Sequence, residues 1–146
     1  MIIEKTNQLD SFQKEGILIT LAHKSIEDFE AYLNKLNDSK HFIVKIDNQI
    51  LGWFVTFIID SKRWFVIIID SKYQRKGIAR QLIENALLDS TELYGWVIDT
   101  EKYIKQNGDI YKTPIEFYKK LGFVITNERL ENEKLSAVKI KWKSRK

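Results

Sequence analysis

Cysteine is absent from the 146 residues. Its absence removes a disulfide framework, a thiolate nucleophile and every cysteine-based zinc site. Histidine is almost absent. His23 and His41 are the two, too few for a usual zinc centre without carboxylates, so no metal is expected. The single proline, Pro114, excludes a proline-rich linker, and no low-complexity tract or internal repeat interrupts the chain. No apolar run approaches the roughly 18–20 residues that a membrane-spanning helix requires. Met1 to Lys5 lack the basic start and apolar stretch of a signal peptide, so a cytoplasmic protein is expected. Missing too are Gly-x-x-x-x-Gly-Lys-Ser/Thr and Gly-x-Gly-x-x-Gly, which leaves P-loop nucleotide and dinucleotide sites without support.

What is present is an ordinary globular composition, 44% hydrophobic and 30% charged. A chain of this length can bury a real core, so one domain over residues 1–146 is expected. The net charge is +4, with a basic end at Lys139, Lys141, Lys143, Arg145 and Lys146. A patch for nucleic acid or for a phosphorylated ligand is one reading of that end. The cations alternate with Val138, Ile140 and Trp142, however, and this favours the solvated face of an edge strand.

The first fifteen residues carry no legible pattern. Gly16 to Leu21 reads as a strand. Ser25 is a plausible N-cap for a helix to about Leu36, with Ile26, Phe29, Leu33 and Leu36 on one face. Phe42–Ile46 and Ile50–Ile59 read as a hairpin around Asp47-Asn48-Gln49. Asp60-Ser61-Lys62-Arg63 then turns the chain into a strand at Trp64–Ile69. These near-continuous apolar runs suggest strands covered on both faces. A helix from about Arg75 to Asp89 carries Ile78, Leu82 and Ala86 on one line, with Ala79, Ile83 and Leu87 beside it. Leu93–Ile98 is a strand, placed parallel to Trp64–Ile69 by the right-handed crossover rule. Thr113-Pro114-Ile115-Glu116 has the form of a capping box, and its helix stops at Gly122. Strands at Phe123–Thr126 and Leu135–Trp142 complete a three-layer α/β fold with a mixed sheet of six or seven strands.

The centre of interest is Gln74-Arg75-Lys76-Gly77-Ile78-Ala79, lying between an apolar strand and an amphipathic helix. The first N–H groups of a helix have no intrahelical partner and can point at a phosphate. Gly77 allows close backbone approach, and Arg75 and Lys76 add positive charge. These residues resemble the acyl-CoA signature of the GNAT N-acetyltransferase superfamily, Gln/Arg-x-x-Gly-x-Gly/Ala. Downstream, Phe117-Tyr118-Lys119-Lys120-Leu121-Gly122-Phe123 is similar to that family's tyrosine-bearing helix end. By element order the resemblance extends over roughly residues 16 to 142.

The resemblance implies transfer of an acetyl group from acetyl-CoA to an amine, by direct attack in a ternary complex. It implies a splay between the central strand and the strand after the crossover helix, with the thioester arm in the gap. Ile69 would contact the pantetheine and the Ile67 N–H would bond the acetyl carbonyl. Residues 74–79 would hold the pyrophosphate, with Phe117, Tyr118 and Asn107 also against the cofactor. Tyr118, a phenol of pKa near 10, would protonate the departing thiolate. For a base, the residues themselves offer Asp99 and Glu101, at the end of the strand beside the presumed gap. The stretch from Asp99 to Lys112 is longer than the family's usual link. Its Asn107-Gly108 is either a turn or the counterpart of the family's asparagine contact. Two other classes stay open here, a non-catalytic CoA-binding module and a basic nucleic-acid-binding domain. The acceptor, a small-molecule or peptide amine, and the oligomeric state, a homodimer included, are not fixed by the sequence.

Overall fold

A computed structural model describes residues 1–21, 25–73, 77–99, 113–132 and 136–145. Among these residues the chain forms seven strands and four α-helices, the expected α/β class. It divides into two compact units, Met1–Ser90 and Thr91–Lys146.

The first unit opens with β1 (Ile2–Thr6) and α1 (Ser11–Leu21). A helix therefore replaces the strand expected at Gly16–Leu21. The cause lies just upstream. The Gln13 N–H donates to Asp10 Oδ1 at 2.7 Å, and the Asp10 N–H donates to Gln13 Oε1 at 2.9 Å. That reciprocal pair is a capping box, and it starts a helix before the apolar residues can extend. Gly16 is tolerated inside α1 because a Cβ there would come within 2.6 Å of Ile50 Cδ1. The glycine lets α1 lie close against the sheet.

Ser25 caps α2 (Ile26–Asn34) as expected, accepting from the Asp28 N–H at 3.2 Å. Strands β2 (Asn37–Ile46), β3 (Gln49–Ile59) and β4 (Lys62–Ile69) follow as an antiparallel meander, with β1 on the outer side of β2. Asp60 and Ser61 take positive φ of 50° and 66°, the left-handed pair that closes a two-residue hairpin. Leu9, ahead of α1, joins Ile17 of α1 and Phe29 of α2 in a core that includes Ile43, Trp53, Val55 and Phe57. Within it the Trp53 Nε1–H donates to His41 Nδ1 at 3.0 Å. His41 is only 3% exposed, and burial pulls its pKa down from 6.5 to about 4. α3 (Ile78–Leu88) packs Ile78, Leu82, Ile83 and Ala86 inward, so both expected apolar lines are used. Coverage of β4 is incomplete, contrary to expectation. Ile67 and Ile69 are half-buried, and Ile68 is 37% exposed in mid-strand.

The second unit contains β5 (Glu92–Ile98), α4 (Ile115–Lys120), β6 (Val124–Glu131) and β7 (Ser136–Lys143), in the order β5-β7-β6 and antiparallel throughout. β7 is thus a central strand, not an edge. Its Lys139 is only 8% exposed. The ammonium pairs with Glu128 Oε2 at 2.8 Å and sits 5.0 Å from the centre of the Tyr94 ring. A lysine so engaged is removed from any basic surface patch. The capping box expected at Thr113 and Glu116 is also absent. Pro114 is the N-cap, with no side-chain cap bond. The Thr113 hydroxyl donates to the Ile98 carbonyl instead, and Glu116 pairs with Lys119.

Candidate active site

In the first unit the site elements are the end of β4 and the start of α3. The Asp70 N–H donates to the Leu51 carbonyl at 2.8 Å, and the same register joins Ile69 to Gly52, Ile68 to Trp53 and Ile67 to Phe54. Hydrogen-bonded and non-bonded pairs alternate along an antiparallel ladder. Asp70 and Ile68 therefore turn their main-chain groups toward β3. Ile67 and Ile69 turn theirs to the opposite edge of β4. Gly52 leaves room for side chains to pack directly on β3, since a Cβ there would come within 2.6 Å of Ile69 Cδ1 and 3.2 Å of Leu82 Cδ1.

After β4 the chain makes one 3₁₀ turn at Ser71–Tyr73. Asp70 organises it. The Asp70 side chain accepts from the Lys72 N–H at 3.0 Å, and its carbonyl accepts from the Tyr73 N–H at 2.9 Å. Gln74, Arg75 and Lys76 lie outside the described residues. Gly77 is the N-cap of α3 at φ 79°, ψ 4°, a left-handed conformation that side-chain-bearing residues adopt only at a cost of roughly 1–2 kcal/mol. The first helical bond runs from the Gln81 N–H to the Gly77 carbonyl. The N–H groups of Ile78, Ala79 and Arg80 accordingly belong to the first turn, where no i−4 carbonyl is available, and Gly77 offers no side-chain cap. A Cβ on Gly77 would meet no described residue within 4 Å. Ile78 is buried and Ala79 half-buried, so their contribution to this end is mainly backbone.

In the second unit the downstream motif turns out to be a complete helix stop. The Gly122 N–H donates to the Lys119 carbonyl and the Phe123 N–H to the Tyr118 carbonyl, both at 3.0 Å. Gly122 takes φ 98°. This is a Schellman motif, and its usual apolar contact joins Phe123 to Tyr118. The two rings meet edge to face with centroids 5.4 Å apart, and Phe117 packs edge-on to Tyr118 at 5.3 Å. Tyr118 is 6% exposed. The spacing Tyr-x-x-Leu-Gly-Phe is thus the covalent form of a clasp that fixes one aromatic ring.

Asp99, at the end of β5, accepts a bidentate pair from Arg129, with Nη1 to Oδ2 at 2.7 Å and Nη2 to Oδ1 at 3.0 Å. Arg129 Nε also reaches Glu131 at 2.9 Å, and Nη2 reaches Ser136 Oγ at 2.8 Å. These carboxylates raise the Arg129 pKa still further above its ordinary value. Both Asp99 oxygens are engaged. Glu101 and Asn107 lie outside the described residues. Of the expected site residues, Ile67, Ile69, Gly77, Ile78 and Ala79 stand in the first unit, and Tyr118, Phe117 and Asp99 in the second. Sequence reasoning missed Arg129 and the long-range use of Thr113. Neither carries a local signal, because each partner is distant in sequence.

A family model for the acetyltransferase (GNAT) domain matches residues 37–125, more than half of the chain and across the boundary of its two units. The chain belongs to the GNAT acetyltransferase family. It is therefore an enzyme that moves an acetyl group from acetyl-CoA to an amine. Solved structures carry the same fold. The aminoglycoside 6′-N-acetyltransferase of Enterococcus faecium is 16% identical with a TM-score of 0.71, over 98% of this chain and 97% of that one. A chimeric spermidine N-acetyltransferase from Vibrio cholerae is 20% identical at 0.71, over 97% and 95%. A GNAT acetyltransferase from Elizabethkingia anophelis with acetyl-CoA bound is 18% identical at 0.64, over 98% and 97%. No curated protein matches the sequence. Among the described residues no helix is long and apolar enough to cross a membrane.

Proposed function

We propose that β4 and the start of α3 hold acetyl-CoA and that Tyr118 completes the chemistry within a single acetyltransferase domain. The observation that carries this reading is the alternation along β4. It turns the main-chain groups of Ile67 away from β3, on the side where the family resemblance puts an extended amide-bearing ligand. The same resemblance gives Ile69 the contact with the pantetheine arm. The Ile67 N–H donates to the acetyl carbonyl, which needs it most as negative charge builds on that oxygen. The pyrophosphate lies over Gly77 and the first-turn N–H groups of Ile78 and Ala79, and Gln74, Arg75 and Lys76, just before them in sequence, belong to the same signature. The family resemblance also assigns Phe117 and Asn107 to cofactor contact.

The step itself is direct. The amine nitrogen attacks the thioester carbon in a ternary complex, the C–S bond breaks as the tetrahedral intermediate collapses, and the thiolate takes the Tyr118 proton. The attacking nitrogen loses its surplus proton as the intermediate collapses. An amine of pKa near 10.4 is neutral in about one molecule per few thousand at pH 7, so a base that takes the ammonium proton before attack is worth ~4–5 kcal/mol. Asp99 is poorly suited to take it while Arg129 holds both oxygens, which leaves Glu101 or a water chain. Much of the remaining barrier is met by positioning.

The acceptor is a small-molecule or peptide amine, and the aminoglycoside and spermidine enzymes of the same fold make those two classes the first to test. A cytoplasmic setting and a homodimer belong to the same reading. The nucleic-acid alternative loses ground because Lys139 is buried against Glu128. Turnover is tested by following free thiol release from acetyl-CoA over polyamines, aminoglycosides, amino acids and peptides. Acceptor-dependent release with at least one class is expected. Acetyl-CoA binding with no release for any amine would leave a CoA-binding module.

A further inference from the structure

We infer that Thr113 and Arg129 are positioning residues for Tyr118, acting through the end of β5. The inference rests on the acid role proposed for that tyrosine. α4 has only six residues, too short to hold its own position in water, so whatever docks its two ends decides where Tyr118 sits. The C-terminal end is fixed by the Schellman clasp, and a Cβ on Gly122 would lie only 3.4 Å from the Trp142 ring on β7. The N-terminal end lacks a side-chain cap. Its anchor is the Thr113 hydroxyl on the Ile98 carbonyl, the last carbonyl of β5.

That carbonyl is a useful anchor only if the strand end is itself held. The next residue, Asp99, is gripped bidentately by Arg129 of β6, and the same guanidinium reaches Ser136 at the start of β7. One planar cation thus ties the ends of three strands. Bidentate charge-assisted pairs of this kind impose geometry as well as energy. Surface ion pairs add little to stability, so the consequence of losing this one should appear in placement more than in melting temperature. The chain of contacts runs from Arg129 to Asp99, through Ile98 to Thr113, and from there into α4.

The test is a double-mutant cycle measured by acetyl-CoA turnover with an acceptor that the wild-type protein uses. Thr113→Val keeps the shape and deletes the hydroxyl. It should lower kcat about tenfold with acetyl-CoA affinity by calorimetry within twofold of wild type, a loss sized to a slightly misplaced acid. Thr113→Ser should restore most of it. In a Tyr118→Phe background, Thr113→Val should cost less than twofold further, because the group being placed is gone. Arg129→Gln should follow the same pattern more weakly and serves if Thr113→Val melts too low to assay. Full kcat in either folded variant, or an equal loss with and without the Tyr118 hydroxyl, overturns the inference. If Tyr118→Phe alone keeps full kcat, it is the acid role that fails.

Discussion

Tyr118 is a phenol in a nearly closed aromatic setting, with Phe117 and Phe123 edge-on to its ring. Tyr118→Phe keeps that packing and removes only the hydroxyl, so stability and acetyl-CoA binding should change little. If the phenol protonates the thiolate, kcat should fall on the order of 10²–10⁴-fold, toward the low end because a thiolate leaves readily. Equal losses in kcat and kcat/KM would assign the contact to the transition state. Unchanged kcat in a chemistry-limited assay would reduce Tyr118 to packing. His41 gives a second prediction at this scale. Its neutral Nδ1 accepts from Trp53, and its pKa is lowered to about 4 by burial. The unfolded chain binds that proton first as pH falls below 6.5. Stability is therefore full above about 6.5 and declines until about 4, by ~3 kcal/mol at most. Denaturant titrations of wild type and His41→Gln should diverge in slope across that window only. Parallel pH profiles would contradict the assignment. The sequence marked Tyr118 through its motif, but nothing near Arg129 announces that it will meet Asp99, thirty residues away.

At the scale of elements, local signals were legible where they acted alone. Ser25 caps α2, and the Asp60-Ser61 turn links β3 to β4, as the residue types suggest. The apolar run at Gly16–Leu21 suggests a strand on its own, but the reciprocal bonds of Asp10 and Gln13 start a helix there. Thr113 and Glu116 have capping-box spacing, yet the hydroxyl finds a distant carbonyl instead. The alternation of lysines on β7 is a strand pattern, as expected, but chain order does not reveal that β7 lies between β5 and β6. The Schellman stop offers the cleanest element-scale test. Gly122→Ala puts a side chain at φ 98°, with a destabilisation of about 1–2 kcal/mol expected from that backbone conformation alone. Because the same stop clasps the Tyr118 ring, kcat should fall too. A variant as stable and as active as wild type would show that the clasp has no part in placing the ring.

For the whole molecule, the fold class and the family were legible, through one glycine loop and one aromatic helix end. The identity of the acceptor was not, because amine selection depends on side chains that no common motif constrains. The central claim is that acetyl-CoA binds where β4 ends and α3 begins. Gly77 is the position at which to challenge it. No described residue lies within 4 Å of a Cβ there, and aspartate is among the residues that tolerate a left-handed φ, so Gly77→Asp should fold. Its carboxylate would stand in the path proposed for the pyrophosphate. Calorimetric titration with acetyl-CoA, with the melting temperature followed in parallel, is the most direct measurement. We expect affinity at least tenfold weaker in Gly77→Asp with the fold retained. Unchanged affinity in the folded variant would remove this loop from the acetyl-CoA site.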